Sequence, residues 1–405
     1  MTTRSGLEAL ASGAVLSPFT RTRRLLDGLA PGIEPVIDLS LGEPRETMPD
    51  FVLAKIKESE ALFAKYPPIR GSDELRGAIA DWIGRRFGSA VRIDPEREVL
   101  PANGSREALF YATLPAVGRK RVMGQPAALM CNPYYQAYLG GAMVAGAEPV
   151  FLNATPETGN LPDLGRLEAD KELLKRAVVL FICSPANPQG AAADAAYISR
   201  ALDLARRHDI MLFFDECYSE IYGGAPPVGA LQVAAATPER FKNLVVFNSL
   251  SKRSNLPGLR SGFAAGDADF LEMLAEVRNQ VAPQMPGPIQ HASAAVWADE
   301  AHVSVNQAAY RAKYDVCDEV LGHRFGYRRP DGGFFLWLEM TQFGGGEAAT
   351  LTLWKGSGVK VIPGAYLAQA DDRGVNPGEN FIRVALVHDV ATIRSALERI
   401  VQLSA

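Results

Sequence analysis

The chain has 405 residues, 47% hydrophobic and 22% charged, with a formal net charge of −4. A single hydrophobic core stops growing at roughly 250–300 residues, so two domains are expected. The mixed, slightly acidic balance excludes a nucleic-acid footprint, and no apolar run approaches the roughly 20 residues that span a bilayer.

No early segment has the basic start, apolar middle and small-residue cleavage site of a signal peptide. The four cysteines, Cys131, Cys183, Cys217 and Cys317, lie far apart with no CxxC pair. Reduced core thiols in a cytoplasmic protein, and no metal site, are the expectation.

In chain order, residues 1–45 are assigned to an N-terminal arm and part of the smaller domain, although nothing in their pattern requires it. The run Glu98-Val-Leu100 precedes Asn103-Gly-Ser-Arg-Glu-Ala-Leu109, which opens a helical pattern. Glycine there permits close backbone approach, and a helix N-terminus offers free N–H groups to an anion. Strands are expected at Ala177–Cys183, Ile210–Phe214 and Asn243–Phe247, each nearly continuous in apolar residues and so covered on both faces. Residues Ala191–His208 have helical periodicity between the first two. That is βαβ grammar, implying a mainly parallel sheet over residues 46–285. Pro283–Pro288 reads as a hinge. From residue 286 to 405 long helices precede the runs Gly333–Leu338, Val359–Ile362 and Phe381–Ala385, a second and smaller α+β unit.

Polar groups follow three of the strands directly: Asn187 in Ser-Pro-Ala-Asn, Asp215 with Tyr218 in Asp-Glu-Cys-Tyr, and Lys252 in Ser-Leu-Ser-Lys. Ligands in open α/β sheets bind beyond the carboxyl ends of strands. A carboxylate at the end of a buried strand is costly unless it meets a cation or donors. Taken singly, Asn187 is explained by a turn, Asp215 by a helix N-cap and Lys252 by a surface charge. Together at one sheet edge they point to a site.

The stretches SPANPQG (184–190), DECYSEIY (215–222) and SLSKRSNLPGLRSG (249–262) resemble the class I/II, fold-type-I aminotransferases that depend on pyridoxal 5′-phosphate. The resemblance covers about residues 35–390, and KRSNLPGLRSG with NGSREALF is most similar to the succinyldiaminopimelate aminotransferases. It implies the aspartate aminotransferase-like fold, with a mainly parallel seven-stranded sheet in the large domain. Lys252 is then the amine that binds the cofactor covalently and moves a proton, and Asp215 pairs with the ring nitrogen. Tyr218 and Asn187 hydrogen-bond the phenolic oxygen. Gly104, Ser105, Arg106, Ser249, Ser251 and Arg260 surround the phosphate. Tyr135 stacks on the ring, and Tyr66 reaches the partner's phosphate across a homodimer with active sites at the interface. Arg383 takes the substrate α-carboxylate as a planar fork, with Gly42 and Asn187 beside it.

The sequence departs from the family at Gln189, where many relatives have threonine, and at Asn248, where the nearest have histidine. Neither removes a catalytic group. The implied substrates are amino and keto acids: glutamate with 2-oxoglutarate, and N-succinyl-2-amino-6-oxopimelate of lysine and diaminopimelate biosynthesis. Arg23, Arg45, Arg70 and Arg253 are candidates for the distal carboxylates. Alternatives are an aminotransferase of aspartate, alanine or aromatic amino acids, a β- or γ-lyase on the same fold, and a regulator that kept the fold. The last lacks any DNA-binding pattern.

Overall fold

The computed structural model describes residues 6–13, 15–371 and 373–403; positions 1–5, 14, 372, 404 and 405, which fall in the expected outer segments, lie outside the described residues. The strands are β1 (Ile37–Asp38), β2 (Val99–Ala102), β3 (Ala127–Asn132), β4 (Glu148–Asn153), β5 (Ala177–Cys183), β6 (Met211–Asp215), β7 (Leu244–Ser249), β8 (Gly262–Gly266), β9 (Phe335–Glu339), β10 (Val359–Lys360), β11 (Ile362–Pro363) and β12 (Phe381–Ala385).

The order β2-β8-β7-β6-β5-β3-β4 forms a seven-stranded sheet, parallel throughout except that β8 runs against both β2 and β7. Every residue of β5, β6 and β7 is buried, as the absence of polar alternation in their sequences requires. The helix expected over 191–208 is Ala195–Arg207, its start fixed by Asp194, whose side chain accepts from the Tyr197 amide.

One face of the sheet is covered by a core around Trp82, Ile198, Leu231 and Trp297. The other carries Leu109, Tyr138, Leu271 and their neighbours. A separate core is built from Tyr310, Tyr314, Leu336, Val384, Ile393 and others, with Ile37 and Leu39 from the N-terminal part of the chain. It surrounds the antiparallel sheet β11-β12-β9 and the parallel pair β1-β10.

Two expectations need correction. Helix Gly287–Ala298 places Ala294, Val296 and Trp297 in the sheet core, and Trp297 tilts against Trp82 with ring centroids 4.8 Å apart. The cores therefore do not part at residue 286 or at Pro283–Pro288. An apolar helical pattern does not say which core it enters. The chain passes between cores along the next helix, Ala301–Leu321, whose Tyr310, Tyr314 and Leu321 lie in the second core. The run Val359–Ile362 is not one strand: Val359 pairs with Ile37 and Ile362 with Arg383, so the chain changes sheets at Val361. Among the described residues no helix is long and apolar enough to cross a membrane.

Candidate active site

From β3 the chain passes to β4 on one side, then crosses to β5 on the other. Such a switch point leaves a crevice at the strands' carboxyl ends. A cavity of ≈ 410 Å³ opens there, with Cys131, Cys183, Asp215 and Ser249 from the ends of β3, β5, β6 and β7 in its wall.

Asp215 lies on its floor, 6% exposed. Its Oδ2 accepts from the Tyr138 hydroxyl at 2.7 Å and its Oδ1 from the Cys217 amide at 3.2 Å. Burial pushes its carboxyl pKa up, and among the described residues it makes no ion pair. A buried carboxylate without a cation is expensive; the site is built to receive one.

Lys252 stands on the short helix Leu250–Arg253, directly after β7. Its Nζ donates to the Gly42 carbonyl at 2.6 Å and lies 5.0 Å from the centroid of the Phe334 ring. Burial pulls its pKa from 10.5 down to about 8. Near neutral pH an appreciable fraction is therefore free amine, the nucleophilic form.

Arg383 projects from β12 of the second unit, 4% exposed. Its Nη2 donates to the Ser40 carbonyl at 2.7 Å and its Nη1 to Asn187 Oδ1 at 3.5 Å, while Nε has no partner. No carboxylate reaches it among the described residues, and burial lowers its pKa to about 10. The planar face lies 4.3 Å from the Phe335 ring centroid. An unpaired buried guanidinium awaits an anion.

The opposite end is a nest of donors. Helix Ser105–Arg119 opens here behind Gly104, whose φ is 84°; a Cβ at Gly104 would collide with the Arg260 guanidinium. Ser249 Oγ lies 2.9 Å from Ser251 Oγ. Arg260 donates to the carbonyls of Pro257 at 2.9 Å and Asn103 at 3.0 Å, leaving its charge uncompensated among the described residues. Arg106 Nε donates to the Tyr135 hydroxyl at 2.9 Å.

Gly42, Ser105, Arg106, Tyr135, Asn187 and Tyr218 all line the cavity with Asp215, Ser249, Ser251, Lys252, Arg260 and Arg383. Asn187 Nδ2 donates to the Tyr218 hydroxyl at 3.4 Å. Tyr66 does not join them and is fully exposed. None of Arg23, Arg45, Arg70 or Arg253 lines the cavity. Arg253 is a core residue, 0% exposed, donating to Val296 O at 2.9 Å and Glu300 Oε1 at 2.8 Å. It follows Lys252 directly, and one step around a helix turns a side chain to another face. Arg70 pairs with Glu272 and Arg45 with His388.

Sequence reading missed Tyr138, which supports Asp215 from behind the cavity, and several wall residues. Tyr138 follows Tyr135 by one helical turn, a spacing that puts both on one face. Phe19, on helix Pro18–Leu26, and Phe335 close the apolar side, and Gln136 lies at the rim. Asn248 is buried and donates to Glu216 O and Ser219 Oγ, each at 3.0 Å, which accounts for an amide at that position.

A family model described as "Aminotransferase class I and II" matches residues 34–400. The LL-diaminopimelate aminotransferase of Syntrophobacter fumaroxidans is 32% identical over 381 residues, 93% of this chain and 92% of that protein. A solved structure of an aminotransferase from Neisseria meningitidis is 37% identical with a TM-score of 0.90, covering 96% of this chain and 98% of its own. A probable N-succinyldiaminopimelate aminotransferase from Thermus thermophilus superposes with a TM-score of 0.81 at 25% identity, over 96% of this chain and 100% of that one.

Proposed function

The chain belongs to the class I and II aminotransferases, and from that membership we propose that it binds pyridoxal 5′-phosphate on Lys252 and moves an amino group between glutamate and a keto acid of the diaminopimelate type. The observation that carries this reading is one cavity holding a buried amine with a pKa near 8, a buried carboxylate without a cation and a buried guanidinium without an anion.

The donor set fits the cofactor. The hydroxyls of Ser105, Ser249 and Ser251, the Arg260 charge and the open end of helix Ser105–Arg119 suit a phosphate. Asp215 suits a protonated ring nitrogen, and its pairing would relieve the cost of its burial. When bound, pyridoxal 5′-phosphate supplies an aldehyde that joins to amines and a ring that accepts the electrons released when a proton leaves the amine-bearing carbon.

The chain's own residues do the rest. Lys252, as a free amine, would hold and move the proton; its lowered pKa lets the amine act as a base near neutral pH. Arg383 fixes the substrate carboxylate in a bidentate grip, beside Asn187 and the Gly42 segment. Asn187 and Tyr218 would hydrogen-bond the phenolic oxygen of the cofactor. Tyr135 supports the ring, and Phe19 and Phe335 keep water from it. Transfer runs in two half-reactions through the same groups, in the cytoplasm. Two chains form the working unit, each giving Tyr66 to its partner's phosphate. This is supported by the exposed apolar run beside that tyrosine: Leu62 at 37%, Phe63 at 60% and Ile69 at 39%.

For the acceptor, the motif resemblance favours N-succinyl-2-amino-6-oxopimelate. A second reading, the unsuccinylated keto acid whose amination gives LL-diaminopimelate, is favoured by the names of the relatives at 29–32% identity. Purified enzyme offered 2-oxoglutarate with N-succinyl-LL-diaminopimelate, LL-diaminopimelate, aspartate or phenylalanine decides the matter by glutamate formed. Glutamate from only the last two would overturn the diaminopimelate assignment and leave the aminotransferase standing. Ammonia or pyruvate release without an acceptor would favour a lyase.

A further inference from the structure

Lys313 is a buried ammonium that the reaction above does not use. It stands on helix Ala301–Leu321 with its side chain 1% exposed. Its Nζ donates to Glu46 Oε1 at 2.6 Å and to the Leu386 carbonyl at 3.2 Å, and it lies 4.6 Å from the Tyr310 ring centroid. An ion pair in such a place costs desolvation and is weak support for stability by itself, so the question is what it holds.

It holds the segment between Leu39 and Glu46. Leu39 O accepts from the Ala385 amide at 2.9 Å. Ser40 O receives Arg383 Nη2 and Gly42 O receives Lys252 Nζ. Glu46 then ends the segment on Lys313, whose second acceptor, Leu386 O, follows the strand that carries Arg383. One ammonium thus ties both ends of this frame: the stretch of backbone facing the two functional cations, and the strand that carries one of them. After Leu39 the segment has no strand partners of its own. Leu41 and Glu43 are exposed; besides the ion pair, the segment is held by Ser40, which donates to Asp38 Oδ1, and by Arg45, which pairs with His388, and Glu46 is its one anchor in a buried ion pair among the described residues.

We propose that Lys313 and Glu46 are positioning residues: their ion pair pins the 39–46 segment so that Ser40 orients Arg383 for a substrate carboxylate and Gly42 stays beside the Lys252 amine. The inference rests on the assignment of Arg383 to that carboxylate. Neither residue touches substrate. They act on affinity by removing the cost of ordering a loop on binding.

The test uses three variants of the cofactor-loaded enzyme for kinetics and of the cofactor-free protein for hydrogen exchange. Lys313→Met and Glu46→Ala should raise KM for the amino donor about tenfold with kcat within about twofold. Glu46→Gln keeps an acceptor for Lys313 and should leave KM within about threefold of the parent. In the cofactor-free protein, peptides covering residues 39–46 should exchange at least about tenfold faster in the first two variants and unchanged elsewhere. Lys313→Met removes the buried charge and leaves Glu46, 30% exposed, to water, so it keeps a folded protein even if Glu46→Ala, which strands the Lys313 ammonium, does not. Unchanged exchange and KM in Lys313→Met would overturn the proposal, as would faster exchange spread evenly over the chain. If the parent enzyme transfers no amino group, the functional reading fails, and the exchange pattern alone still decides whether this pair pins the segment.

Discussion

The hydroxyl of Tyr138 donates a 2.7 Å hydrogen bond to Oδ2 of Asp215, and apart from the Cys217 amide this is the support the carboxylate has in the described structure. Tyr138 is itself 0% exposed. The pair therefore places a charge at the end of β6 that the protein alone does not neutralise.

That arrangement trades stability for function, and the trade is measurable. Burial raises the folded-state pKa of Asp215, so the folded chain holds this proton more tightly than the unfolded chain does. The resulting cost is present above the normal carboxylate range and disappears as pH falls below it. Asp215→Asn should leave the cofactor-free melting temperature at neutral pH equal or higher, while amino transfer falls by at least about 10²-fold, the scale of losing a preorganised charge. Thermal melts and steady-state rates check both halves. A lower melting temperature would show that Asp215 is a structural cap.

Arg383 should discriminate by carboxylate. Arg383→Lys keeps the charge but loses the planar fork. The expected loss in kcat/KM for amino-acid substrates is about 10- to 100-fold, or roughly 1.4–2.8 kcal/mol. A primary amine lacking the carboxylate, tested as donor on the loaded enzyme, should react equally slowly with both forms. An equal loss on the two donors would place Arg383 in the fold rather than at the substrate.

Lys252 gives a pH dependence of defined sign. Its amine is pulled down to about 8, and the free base is the attacking form. Capture of pyridoxal 5′-phosphate by the cofactor-free protein should therefore accelerate as pH rises and level off above about 8. Stopped-flow absorbance follows it directly. A rate still climbing near the ordinary lysine value would mean that the amine is solvated.

How much of this was legible beforehand follows from how each residue is specified. β5, β6 and β7 could be read because strands buried on both faces leave unbroken apolar runs, and the polar residues that end them, Asn187, Asp215 and Lys252, meet in the cavity for the same reason. Arg383 was read through a family pattern. Arg253 was misjudged because adjacency in sequence says nothing of which helix face a side chain takes. Tyr138 left only its one-turn spacing from Tyr135, and Lys313 and Glu46 left no signal: each matters through a partner far along the chain, at Asp215 or across the two cores, and a single sequence does not display such pairs. The boundary at residue 286 failed because helix Gly287–Ala298 is apolar enough for either core, and only the packing of Trp297 on Trp82 decides between them.

The most direct measurement is to load the purified protein with pyridoxal 5′-phosphate, reduce it with borohydride, digest it and locate the phosphopyridoxyl group by tandem mass spectrometry. This account expects a single modified lysine, Lys252, and no modification in the Lys252→Ala variant. A label on another lysine, or on none, would contradict it.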